Sequence, residues 1–225
     1  MTFYYDPLRL SPAREPATAT SPSRATREGE GERRMLRPSV RMQLRSATDE
    51  VHQEMHRAAP FAAIAEGRAT LAGYGETLQA LYRFHAGMHA MCVAGAVSLG
   101  VDVLGKAHAA RVGALADDLA HLGLAVPAGV PETAGEGDFC AGLLYTVQGS
   151  TLGGKVIFRQ LDALLPDARG RSFFQGVAED ARHWQMLCAA LEGCSDITAL
   201  TAGARHGFER FGAVFEPAAS NFKPS

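Results

Sequence analysis

An all-α fold is the class this sequence predicts, on three observations. Apolar residues recur every three or four positions through six stretches between residues 42 and 215. No run alternates apolar and polar residues with the period of two that a half-buried strand needs. No Asn-Gly or Asp-Gly pair joins two alternating runs as a hairpin turn.

Taken in order, Leu44, Ala47, Val51 and Met55 with charges between them predict an amphipathic helix over residues 42–57, ended by Pro60. Thr70 is placed as the N-cap of a long second helix running to residue 97, with Leu71, Leu78, Leu81, Tyr82, His85 and His89 toward one side. A third helix, rich in Ala and Leu, covers residues 105–122, and the Pro and Gly of residues 124–137 predict a loop. Asp138 then opens a stretch that ends at Pro166; it is longer than any ordinary strand, and its apolar spacing is helical despite four glycines. Helices over residues 171–192 and 196–215 close the body.

A chain of 225 residues with 47% hydrophobic content can bury one sizeable core. The body is assigned to residues 41–215, as a single-domain helical bundle, between an N-terminal tail of residues 1–40 and a C-terminal tail of residues 216–225. Residues 11–35 are dense in Pro, Ser, Thr, Arg and Glu and lack the large apolar side chains that repay ordering. Residues 1–41 carry eight Arg against five acidic side chains, and the rest carries fourteen basic against nineteen acidic. A net charge of -2 gives the chain no electrostatic case for nucleic acid. Four scattered cysteines form no CxxC pair and are expected to be reduced. There is no apolar run of membrane-spanning length and no hydrophobic leader, so a soluble cytoplasmic protein with no membrane partner is expected.

Two features point to chemistry. Gly149 and Gly153 are four apart on one helical face, Gly154 adjoins them, and each costs about 0.5–1 kcal/mol relative to Ala inside a helix. A face stripped of side chains admits either a neighbouring helix or a flat ligand. GSTLGGK lacks the spacing and the preceding strand of a phosphate-binding loop. Among the histidines, His52 and His56 are one turn apart, as are His85 and His89, and each pair fits metal binding from one face or ordinary boundary packing. Arg45 stands two turns before His52. An imidazole ligand with a cation at that spacing suits a planar metal macrocycle with anionic edges.

On these residues the chain resembles the heme oxygenase family. LRSATDEVH, Leu44 to His52, is similar to the first-helix signature that ends in the axial histidine. YTVQGSTLGG, Tyr145 to Gly154, is similar to the glycine-rich distal helix, in its bacterial form, and LYRFH, Leu81 to His85, also resembles the second helix. The resemblance implies heme b bound as substrate and oxygen-activating group between those helices, with His52 on the iron and Arg45 on a propionate. It implies a heme pocket made with Tyr145, Gly149 and Gly153 and loosely matched cations at Arg182 and Arg159. It makes Gly149, Gly153 and Ser150 the catalytic set. The implied reaction cleaves heme to biliverdin, carbon monoxide and ferrous iron with dioxygen and external electrons from a ferredoxin or a flavoprotein reductase, and a bacteriophytochrome is a possible biliverdin acceptor. Glycine backbone lets dioxygen bend toward the ring edge, which bulky side chains would oppose. Ser150 stands where mammalian members carry Asp and bacterial ones commonly carry Ser, and His56 replaces the usual Glu. Two alternatives stay open: a non-catalytic heme-binding or heme-transfer protein, and a non-heme iron oxygenase using His52, His85 or His89 with Glu50, Glu54 or Glu76.

Overall fold

The computed structural model describes residues 38–56, 59–133 and 135–215. Residues 1–37 of the assigned N-terminal tail and the whole of the C-terminal one lie outside them. Nine helices are seen among the described residues and no strand, as the apolar spacing predicts. They are α1 (Val40–His56), α2 (Ala59–Ala65), α3 (Leu71–Gly87), α4 (His89–Ser98), α5 (Val103–His121), α6 (Gly137–Gln160), α7 (Ser172–Gln175), α8 (Asp180–Leu191) and α9 (Ile197–Ala213).

α6 is the central post, packed on α9 and α4 and flanked by α7 and α8. Every residue from Cys140 to Gln148 is buried, so this half of the helix is enclosed on all sides. Glycine permits that enclosure. A Cβ on Gly142 would lie 1.8 Å from the Leu200 carbonyl oxygen, one on Gly203 1.8 Å from that of Phe139, and one on Gly95 2.4 Å from that of Cys140. Backbones therefore touch where α6 meets α9 and α4. Thr146 Oγ1 uses the proximity to donate across the gap to the Ala204 carbonyl at 2.8 Å.

Four boundaries differ from expectation. The predicted second helix is two, because the Gly87 carbonyl accepts from the amide of Glu132 at 2.9 Å. The chain turns at Met88 into α4. The predicted helix over 171–192 is also two, interrupted at Gly176, whose φ of 64° is the left-handed region, after which Asp180 accepts from the Val177 amide at 2.9 Å. α6 stops at Gln160, before the turns that lead to Pro166. Pro60 lies in the first turn of α2, where its missing N–H costs nothing. Thr70 caps α3 as expected, its Oγ1 accepting from the Gly73 amide at 3.1 Å.

Side-chain ties fix the smaller pieces. Asp118 of α5 accepts from the amides of Ser172 and Phe173 at 2.9 Å, which anchors the first turn of α7. Glu192, just past α8, accepts from the Val40 and Arg41 amides at 3.1 and 3.4 Å and so satisfies the exposed start of α1.

Candidate functional site

α1 owes its position to Leu44, fully buried in the core that holds Val147 and Trp184, and to contacts along α9. Arg205 donates to the Ala47 carbonyl at 3.1 Å, and a Cβ on Gly212 would touch the Met55 methyl carbon. His52 sits between these ties, half-buried, its ring edge-on to Phe208 at 5.9 Å. His56 is the last residue of α1, and its side chain lies outside the described residues.

Arg45, two turns before His52, is half-buried. It and Arg41 act electrostatically on the phenol of Tyr145, and the Arg41 guanidinium lies 6.0 Å from the Trp184 ring. Burial, with a smaller contribution from Cys188, nevertheless raises the Tyr145 pKa to about 12, so the phenol stays protonated at neutral pH. Tyr145 packs against Trp184 at 5.3 Å, and Gly149 is one turn further on the same face of α6. The start of α1 and the middle of α6 thus share one neighbourhood.

The three glycines of that stretch are not equivalent. A Cβ on Gly149 would reach only the edge of the Trp184 ring, at 3.4 Å, and one on Gly153 would meet nothing within 4 Å. A Cβ on Gly154 would lie 3.0 Å from the Phe174 carbonyl oxygen. Gly154 is a packing glycine, whereas Gly149 and Gly153 leave bare backbone over about 6 Å of helix axis that no neighbouring backbone approaches, with only the edge of the Trp184 ring beside Gly149. Ser150 is exposed, and its hydroxyl donates to the Val147 carbonyl at 2.7 Å, leaving its oxygen free to accept. Arg182 is exposed on α8; Arg159 is exposed on α6 with its Nε turned back to the Lys155 carbonyl.

The residues suit a flat, doubly anionic macrocycle. A bare strip could admit a ring, Arg45 and Arg41 carry positive charge beside Tyr145, and the imidazole of His52 could serve as a nitrogen ligand. Among the described residues no three His, Cys, Asp or Glu side chains are grouped to hold an ion. His85 and His89 bind a third imidazole, His108 of α5, which the sequence analysis did not single out. The four cysteines are free thiols.

No family model matches the chain. Among solved structures, the heme oxygenase from Leptospira interrogans superposes with a TM-score of 0.64 at 19% identity, covering 79% of this chain and 98% of that one. The NO- and CO-bound heme oxygenase from Neisseria meningitidis gives a TM-score of 0.61 at 19% identity, over 82% and 96%. The fold is that class of helical protein. A heme oxygenase of Xanthomonas campestris pv. campestris (strain 8004) is 32% identical over 154 residues, spanning 68% of this chain and 92% of that relative. The chain belongs to the heme oxygenase family.

Proposed function

We propose that this protein binds heme as its substrate and opens the ring with dioxygen to biliverdin, carbon monoxide and ferrous iron, drawing the electrons that reduce the oxygen from a ferredoxin or a flavoprotein reductase. The observation that carries the proposal is the bare strip at Gly149 and Gly153, which has no packing role to account for its cost in helix propensity. Bound heme supplies the iron, the redox chemistry and the carbon skeleton that is oxidised. The protein's part is to hold and enclose it. His52 ligates through one ring nitrogen, and as a neutral ligand it lacks the electron push of a thiolate. Arg45 pairs with a carboxylate edge, and Arg182 is the exposed second cation for the same purpose. Gly149 and Gly153 let the α6 backbone approach the ring, while Trp184 and Tyr145 wall the strip with apolar surface. Ser150 offers its hydroxyl oxygen as an acceptor beside the strip, and Tyr145 a phenol that keeps its proton.

We place its site of action in the cytoplasm; among the described residues no helix is long and apolar enough to cross a membrane. The products would serve either iron acquisition or the supply of biliverdin to a bacteriophytochrome.

The deciding experiment mixes the purified protein with hemin, records the spectrum, adds a reductant system under oxygen and identifies the pigment. His52→Ala is expected to lose the imidazole-ligated spectrum and most turnover, with added imidazole restoring part of the binding. His56→Ala is expected to keep both. A stable heme complex that yields no biliverdin would instead make the protein a heme carrier. Full retention in His52→Ala would remove the assigned ligand.

A further inference from the structure

Outside the proposed site, three histidines from three helices form a continuous row. Nδ1 of His85 on α3 meets Nε2 of His108 on α5 at 3.2 Å, and Nδ1 of His108 meets Nδ1 of His89 on α4 at 3.1 Å. The rings of His89 and His108 are stacked, 5.3 Å apart and 18° from parallel. His85 and His108 are buried, whereas His89 is partly open to solvent.

The central ring decides what the row can do. One metal ion needs a nitrogen from each imidazole to converge on it, but His108 turns its two nitrogens to opposite neighbours. The row is therefore held by hydrogen bonds through the ring. A neutral imidazole has one N–H and one bare nitrogen, so His108 must donate on one side and accept on the other. Two arrangements satisfy it. In the first, His89 donates from Nδ1 to His108, His108 donates from Nε2 to His85, and the proton of His85 sits on Nε2. In the second, every bond runs the other way, and the proton of His85 sits on Nδ1.

We propose that this row is a tautomeric switch, in which protonation of His89 at the surface fixes which ring nitrogen of buried His85 carries its proton. A cationic His89 bears N–H on both nitrogens and can only donate to His108. That selects the first arrangement along the row, and the added proton stays on His89 while His108 and His85 remain neutral. Both inner rings stay neutral because burial is the main influence on each: it holds His85 well below the ordinary imidazole value and His108 down at about 3. Arg111 of α5 faces both of these rings and opposes a second positive charge, with Asp180 of α8 acting on Arg111 in turn. From α7 the facing group is apolar: Phe173 packs edge-on to His85 at 5.1 Å, under the Arg111 guanidinium. The next residue, Phe174, is the one that abuts Gly154 of α6. Surface acidity is thus registered, as a proton position, at the segment that supports the glycine-rich helix.

The test is a pH titration of the ligand-free full chain with ¹⁵N-labelled histidine, followed by NMR. As His89 becomes cationic, His85 is expected to stay neutral and to shift toward the Nε2–H tautomer with the same midpoint, and His108 toward its own Nε2–H form. In His89→Phe the response of His85 should vanish. In His108→Gln, whose amide can bridge the neighbours but cannot change tautomer, His85 should likewise cease to follow His89. Inner rings that hold their shifts while His89 titrates in the wild-type chain overturn the proposal without recourse to any variant. So does a response of His85 that survives in either variant.

Discussion

From Cys140 to Gln148, α6 is enclosed by protein, and the glycine it contains there, like those facing it from α4 and α9, is present because two backbones meet. From Gly149 onward the same helix alternates buried, half-buried and exposed positions, and two of its glycines meet no backbone. The residue type is identical in both halves and the physical reason is opposite. In the first half, glycine removes a clash and so stabilises the fold. At Gly149 and Gly153 in the second it forfeits helix propensity without relieving a backbone clash, and that cost is what the proposed heme site would explain.

The strongest way to break this comparison is to add one methyl to the enclosed half. Gly142→Ala or Gly203→Ala forces a carbonyl oxygen away from a 1.8 Å approach, and should cost about 3 kcal/mol or more. The melting temperature of the ligand-free protein should then drop by about 6–12 °C, by circular dichroism. An undiminished melt would erase the distinction between the halves.

Acid should act on the packed side of the molecule next. His85 and His108 have native pKa values depressed below 6.5, so the unfolded chain takes up their protons first as pH falls. Their stabilising contribution is complete above about pH 7 and declines below about 6.5, by up to about 1.4 kcal/mol per pH unit for each ring. Urea midpoints at several pH values would measure the slope, which His108→Leu should reduce by roughly half.

The smallest change in stability sharpens the comparison from the open side. Gly149→Ala and Gly153→Ala should leave the ligand-free fold unharmed or firmer by about 0.5–1 kcal/mol, while hemin affinity and pigment yield fall. Melts run beside a hemin titration would separate these effects. If both variants lost stability as Gly142→Ala should, the open half would be a packing surface after all.

Much of this was legible in the residues. The helical class and the Thr70 cap follow from local spacing, because helices impose a period and caps a chemistry. The break at Met88 was hidden, since its cause is the Glu132 amide, 45 residues beyond the Gly87 carbonyl to which it donates. The break at Gly176 had a local signal, a glycine followed four residues later by an aspartate that accepts from the Val177 amide, inside a pattern otherwise helical. His108 could not be found from sequence, because only the packing of α3, α4 and α5 makes it a neighbour of His85 and His89. Gly203 and Gly207 were there to be seen, four apart on α9, the same spacing that drew attention to Gly149 and Gly153.

Glu132 ties more of the molecule together than its place in a long connection suggests. Its amide donates to the Gly87 carbonyl, and its carboxylate accepts from His206 at 3.1 Å and pairs with Arg210, both on α9. For protein engineering this divides the connection between α5 and α6 into two unequal parts. A tag, sensor peptide or new chain terminus placed near Val126, which is 43% exposed, would interrupt none of these bonds. The same insertion one residue before Glu132 would unpin the turn at Met88 and the flank of α9 together.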